Sequence, residues 1–357
     1  MSVFQAVPEQ EEAKRLLESA LGDGHAHAFL LHGPAGVGKT TAATAFAGAL
    51  LGDERRVRGR THPDLVVVEA LGEMIRIDRI RELHRDLHMR PFETSRRVYL
   101  ILDAHRLNED AADALLKDLE EPPSYAVIVL VADELGPIPE TIRSRCQLVP
   151  FSRLSRGAVR SWLGEHAPDL PGETADALAR VAAGRLDRAR RLLDPEARER
   201  RAALVDAARS VYRGEELDSG RAAAVILHAC AAKAGAAKEM EEAAIEGFEL
   251  TSREAEQRVR RAARGAEKDE LLASLDELGL WYRDLLAVSV GASSAVANAD
   301  LAAALAEDVA LGHRIERGAE DAVEIVREAW RVAEEFNVTA SLFLESLFIR
   351  LHRAFLP

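Results

Sequence analysis

The sequence predicts an α/β domain with a parallel sheet covered by helices, followed by a small helical region and a longer all-α region. Three observations carry this. Up to about residue 151, short apolar runs of strand length alternate with amphipathic helical stretches, the pattern of a sheet buried on both faces. A Gly-rich turn joins the first such strand to the helix after it. Beyond Phe151 the strand signal vanishes, and Ala, Leu, Arg and Glu at helical spacing take over. The length of 357 residues accommodates two or three domains at about 100–200 residues each. Boundaries are expected near 151 and 197, giving regions 1–151, 152–196 and 197–357.

The elements follow in order. "HAFLLHG" (27–33) is an apolar strand running into the turn. "TAATAFAGALLG" places Ala43, Phe46, Ala47 and Leu50 at helical spacing, with Gly52 as a stop. "DLVVVEA" (64–70) is a second strand, and "IDRIRELHRDLH" (77–88) sets Ile77, Ile80, Leu83 and Leu87 on one helical face. "VYLIL" (98–102) is the third strand. "NEDAADALLKDLEEPP" (108–123) is a helix with Asn108 as its N-cap, an apolar stripe of Ala112, Leu115, Leu116 and Leu119, and a stop at Pro122-Pro123. "AVIVLVA" (126–132) and "CQLVPF" (146–151) complete five strands. After them come three short helices, "GAVRSWLGEH", "GETADALARVAAG" and "LDRARRLLD". From about 197 the chain reads as helical, broken at 212–220 and 291–300. No fixed-period repeat and no low-complexity tail is evident.

Composition narrows the class. The chain is 48% hydrophobic and 30% charged, which suits a soluble, helix-rich protein. The N-terminus lacks a basic segment followed by an apolar run, and no apolar stretch approaches the ~18–20 residues that cross a bilayer. Two cysteines, Cys146 and Cys230, stand far apart and give no disulfide framework. A cytoplasmic protein with no membrane partner is expected. The net charge of −13 opposes a stand-alone nucleic-acid binder, which would carry a basic footprint; contact through a local patch or through partner subunits is compatible with it.

"GPAGVGKT" (Gly33, Pro34, Ala35, Gly36, Val37, Gly38, Lys39, Thr40) fits G-x-x-x-x-G-K-[ST], with a strand before it and a helix after it, and Thr41 joins these residues as a candidate nucleotide-binding position. The glycines let backbone N–H groups turn inward around phosphate oxygens, and the following helix presents its positive end. Lys39 would reach the outer phosphates, and Thr40 would ligate Mg²⁺. "VYLILDAHRLN" (98–108) is less orthodox. Its strand end offers one carboxylate, Asp103, where an ATPase needs one acid for the metal and another for the attacking water.

Together, the phosphate loop, "THPDLVVVEALGEMIRIDRIRELHRDL", "RRVYLILDAHRLNEDAADALLKDLEEPP" and "IPETIRSRC" resemble the bacterial clamp-loader AAA+ subunits of DNA polymerase III, the delta-prime type above all. The likeness is dense over the first 150 residues. It continues as a layout: a helical lid, then a helical collar in which "LWYRDLL" (280–286) also fits. Set against the motor subunits of the family, the magnesium-associated acid falls on Leu102 and the catalytic acid on Asp103. In the alternative register Asp103 is the magnesium residue, and Ala104 leaves no base. Either way one acid is missing, and slow or absent hydrolysis is implied, since roughly 1 Å of misplacement can cost about 100-fold in rate.

The resemblance also assigns roles. In "SRC", Arg145 is the arginine that the family supplies in trans to a neighbour's γ-phosphate, with Arg143 the weaker candidate. Cys146 reads as a buried filler. In "GRLDRARRLL" (184–193), Arg188 is the candidate to reach a bound phosphate, although the motor subunits' arginine aligns more nearly with Asp187. The other sensor position falls near Ala132 or Asp133, and an Asp there would repel a γ-phosphate. ATP with Mg²⁺ is the implied cofactor. The implied partners are the motor and delta-type subunits, through the collar and the AAA+ faces, with the sliding clamp and primer–template DNA reached through the assembly. An active motor ATPase of the gamma/tau type, or an AAA+ ATPase of DNA repair, stands as the alternative.

Some features are absent or bland. Relatives carry a four-cysteine zinc module between the loop helix and the second strand. Here that interval is "LLGDERRVRGRTHPDL", which excludes a thiolate zinc site. His84 and His88 lack an evident third ligand and read as a solvated helix face. The cluster Arg258, Arg260, Arg261 and Arg264 is diluted by glutamates and reads as a collar surface, with DNA phosphates as the alternative.

Overall fold

The computed structural model describes residues 3–23, 26–70, 73–214, 216–245, 251–312, 314–336 and 338–356. The chain divides into two compact units, Met1–Glu165 with Gly184–Arg188, and His166–Ala183 with Ala189–Pro357.

The first unit runs α1 (Glu11–Asp23), β1 (Ala28–His32), α2 (Lys39–Leu51), α3 (Glu54–Arg58), β2 (Leu65–Val68), α4 (Ile77–Leu87), β3 (Arg97–Ile101), a 3-10 turn (Ala104–Arg106), α5 (Glu109–Glu120), β4 (Ala126–Ala132), α6 (Glu140–Arg143), β5 (Gln147–Pro150) and α7 (Arg156–His166). Its five strands are parallel in the order β2-β3-β4-β1-β5. Every residue of β3 and β4 is buried, as their unbroken apolar runs require. Three helices, α1, α3 and the short α6, go beyond the sequence reading. α1 starts on Glu11 and Glu12, which suit the positive end of a helix, and buries Ala13 and Leu17. α3 is capped by Asp53, whose carboxylate accepts from the Arg56 amide at 2.9 Å.

The expected punctuation holds. Asn108 accepts from the Ala111 amide at 3.2 Å to start α5, and α2 stops at Gly52 with φ +70°. One side of the sheet is filled from α4 and α5 by Ile80, Leu83, Leu87, Ala111, Ala112, Leu115 and Leu119. On α2, Phe46 meets Phe29 of β1 edge-on at 5.0 Å between ring centres. A polar knot closes the β2–β3 end. The buried carboxylate of Asp64 accepts from the amides of Phe92 (2.6 Å), Glu93 (2.9 Å) and Thr94 (3.0 Å), and Arg97 makes a two-pronged contact to Asp86 (2.8 and 2.6 Å).

The second unit holds α8 (Gly172–Val181), α10 (Pro195–Arg213), α11 (Ser219–Ile245), α12 (Ser252–Ser289), α13 (Ala302–Val309), α14 (Arg314–Glu335) and α15 (Ala340–Ala354), while α9 (Leu186–Leu193) starts in the first unit and ends in the second. The breaks expected at 212–220 and 291–300 are present. Further interruptions follow α13, where Gly312 has φ +113°, and α14; the sequence reading had run through both. The core gathers Tyr212, Trp281, Tyr282, Phe348 and Phe355 with aliphatic residues of α10–α15. Beside it the fully buried Asp308 takes the Tyr212 hydroxyl (2.6 Å), Arg209 (2.9 and 3.0 Å) and Arg213 (2.7 Å). "LWYRDLL" is therefore core: Trp281 donates to the Tyr212 hydroxyl at 3.1 Å, and Asp284 accepts from Ala297 and Asn298.

Candidate nucleotide site and a surface arginine

The loop of residues 33–38 hangs from the carboxyl end of β1, between β4 and β5. Three of its glycines adopt positive φ: Gly33 at +137°, Gly36 at +70° and Gly38 at +98°. Only the first is dictated by a backbone neighbour, since a Cβ there would lie 2.1 Å from the Phe151 carbonyl oxygen. The turn delivers the chain into the first turn of α2, where the amides without helical partners face outward. Thr40 and Thr41 are exposed in that turn.

Lys39 is buried, with 4% exposure, and its ammonium lies folded into the loop. It donates to the carbonyls of Gly33 (2.6 Å) and Pro34 (2.5 Å) and pairs with the Asp133 carboxylate at 2.8 Å. Burial holds its pKa below the ordinary lysine value, against the opposing pull of Asp133. Asp133 follows β4, and its amide donates to His105 Nδ1 at 3.2 Å, so His105 carries its proton on Nε2. Burial also holds the His105 pKa down, with Asp133 and Asp103 pulling the other way.

The acid strand ends as its odd sequence implied. Leu102 is buried and bonds through its amide to the Val68 carbonyl at 2.9 Å. Asp103 sits in the left-handed region, φ +52°, at the start of the 3-10 turn, a conformation that Asp tolerates. An apolar side chain thus occupies the position adjoining the single acid, and Ala104 behind it is buried.

The 184–188 segment meets the loop from the other side. The Leu186 amide donates to the Gly36 carbonyl at 2.7 Å, and a Cβ on Gly36 would overlap the Asp187 carboxylate. Asp187 is paired with Arg185 at 2.8 Å. Of the two residues weighed from the sequence, Asp187 is the one against the loop, whereas Arg188 is buried at 7% exposure.

Residues 33–40 fit a nucleotide polyphosphate: the glycine turn, the helix start, a buried ammonium and an exposed threonine are all in place. Thr40 would offer its exposed hydroxyl to a Mg²⁺ ion travelling with the phosphates. Sequence reasoning located the loop and the lone acid. It did not foresee the Lys39–Asp133 pair, because the two residues meet only through the β1–β4 register, Leu31 against Val131 and His32 against Ala132.

Arg145 stands apart from this loop cluster. It follows α6 at the surface, its guanidinium held by the Glu120 carboxylate and by the Thr141 carbonyl at 2.9 Å. Glu120 belongs to "LLKDLEEPP", so two motifs that looked separate in sequence form one surface group. Cys146 is half-buried, and burial pushes its thiol up to about 12. His84 Nδ1 lies 2.7 Å from the Asp118 carboxylate, and its ring meets His88 edge-on. Arg258 is paired with Glu241 at 2.8 Å.

Residues 9–155 match the family model described as "DNA polymerase III, delta subunit". DNA polymerase III subunit delta' of Pseudomonas aeruginosa is 33% identical over 204 residues, covering 53% of this chain and 62% of that protein. Subunit tau of Bacillus subtilis is 34% identical over 170 residues (44% of this chain, 30% of that one). Subunit delta' of the same organism is 32% identical over 164 residues (43% and 50%). The chain thus spans between 30% and 62% of the lengths of these relatives. With that match over residues 9–155 and these relatives beside it, the N-terminal part of this chain is similar to subunits of DNA polymerase III, the delta' subunits among them.

Proposed function

We propose that this chain is a delta-prime-like subunit of a DNA polymerase III clamp loader, working in the cytoplasm in the ATP-dependent loading of a sliding clamp onto primer–template DNA. Its own hydrolysis is weak or absent, and Arg145 completes the active site of a neighbouring motor subunit. The observation that carries this reading is the contrast between two places in the first unit. The acid strand ends in a buried Leu102 and a single carboxylate, Asp103, while Arg145 is presented at the surface just after a short helix. A guanidinium has five fixed donors and keeps its charge, which suits it to the equatorial oxygens of a γ-phosphoryl group on another chain.

Within this reading residues 33–41 hold ATP and its Mg²⁺, whose γ-phosphoryl group is the one transferred to water in such enzymes. Lys39 neutralises phosphate charge, Thr40 supplies a hydroxyl to the ion, and Asp103 is left as the one acid near the strand end. Residues 152–196 serve as a lid and 197–357 as a collar that docks to motor and delta-type subunits. The test is ATPase activity of the loader reconstituted from this chain and its partner subunits. Arg145→Ala lowers turnover roughly 10³-fold or more, the order an arginine finger contributes, and leaves assembly intact. Unchanged turnover would refute the role.

The intact "GPAGVGKT" loop and the 34% identity to a tau subunit favour a second reading, an active motor subunit. Robust hydrolysis by the purified chain, abolished in Lys39→Ala, would establish that reading and displace the first.

A further inference from the structure

A lysine ammonium has three N–H donors. Those of Lys39 are all taken from inside the protein: the carbonyls of Gly33 (2.6 Å) and Pro34 (2.5 Å), and the carboxylate of Asp133 (2.8 Å). The first two partners are neutral and belong to the loop. The third is an anion, fixed at the end of β4 by the backbone bond from its own amide to His105. A phosphate oxygen that reaches Lys39 must therefore displace one of these partners, and it approaches an ammonium already neutralised by a carboxylate. Across the loop the Asp187 carboxylate lies against Gly36.

We infer that Asp133 decides which nucleotide this loop accepts: its carboxylate holds Lys39 where a terminal phosphate would, so the site takes a nucleoside diphosphate in preference to a triphosphate. The half-buried loop backbone and the exposed start of α2 offer amides to a phosphate pair that need not reach Lys39. A third phosphate adds negative charge at the end of the loop already occupied by a fixed anion, and like charges at that range oppose binding. Asp133→Asn keeps the size and an acceptor oxygen for Lys39 while removing the charge. This inference rests on the phosphate-loop part of the function proposed above and is independent of Arg145.

The test is equilibrium binding of ADP and ATP, with Mg²⁺, to the full chain by calorimetry, for the wild type, Asp133→Asn, Asp133→Ser and Lys39→Ala. The wild type is expected to bind ADP roughly tenfold more tightly than ATP, the order of one like-charge contact at a partly exposed site. Both Asp133 variants raise ATP affinity by a similar factor and close the gap, while Lys39→Ala weakens both ligands. A wild type too weak for either ligand, with Asp133→Asn gaining ATP binding, supports the same conclusion. A wild type that binds ATP at least as tightly as ADP overturns it. So does an ADP-to-ATP ratio unchanged in folded Asp133 variants, or an absence of binding in every variant. Because no partner subunit is present, failure here leaves the arginine reading standing, and loss of Arg145 function leaves this one standing.

Discussion

Gly33 is where the sheet and the phosphate loop constrain each other, and Gly33→Ala measures how tightly. At φ +137° the position lies in backbone space that an L-residue with a Cβ rarely enters, a cost of about 1–3 kcal/mol. The new methyl would also stand 2.1 Å from the Phe151 carbonyl oxygen and 2.9 Å from its carbon. Neither atom is free to yield, because the Phe151 amide bonds to the His32 carbonyl at 2.8 Å and β5 is registered on β1. Overpacking of this kind adds about 1–3 kcal/mol, so a total of roughly 2–6 kcal/mol follows. Gly52→Ala is the internal control: φ is +70°, nothing lies within 4 Å, and about 1–2 kcal/mol is expected from the dihedral alone. Hydrogen exchange of β1 and β5 amides, read by mass spectrometry in both variants, compares the two directly. Equal losses of protection would refute the argument that Phe151 fixes this turn.

The polar knot at Asp64 gives a second expectation. Asp64→Ala leaves three backbone N–H groups without their carboxylate and removes a neighbour of the buried Arg97, a loss of about 3–5 kcal/mol in urea titration. Burial acts to raise the Asp64 pKa, but the hydrogen bonds from Phe92, Glu93 and Thr94 outweigh it and leave the value below 3.8. Its contribution is therefore complete above about pH 4 and disappears as pH falls through the lowered folded value; an acid melt of the wild type that shows no excess loss over Asp64→Ala would contradict this. Both thiols are pushed up to about 12 by burial. Alkylation of the native chain at pH 8 should accordingly run on the order of 10³-fold slower than for free cysteine, and rapid single labelling in a mass spectrum would refute that.

Much of the first unit is legible from local pattern. The glycine loop, the Asn108 cap, the Gly52 stop and the unbroken apolar runs of β3 and β4 each follow from chemistry within a few residues. The degenerate acid was legible too, because Leu102 and Asp103 are adjacent. The charge partners were not. Lys39 meets Asp133, Asp187 meets Gly36, and Arg145 meets Glu120, and none of these pairs is set by helical or strand periodicity. Each depends on tertiary packing, strand order for Lys39 with Asp133 and helix placement for the others, and periodicity is silent on both. In the second unit the breaks after α13 and α14 are not legible, because apolar residues keep a helical spacing on both sides of them.

The strand order also bears on how the chain is made. β1 leaves the ribosome well before its neighbours: Ala28 pairs with Ile128 and Phe29 with Gln147. Pairings this distant in sequence are slow to form and leave an apolar strand edge waiting. The phosphate loop is thus translated early and shaped late, when β4 and β5 flank it. A nascent chain arrested before Gln147 has emerged should gain no protection of β1 from added nucleotide, whereas one arrested well past Phe151 is able to.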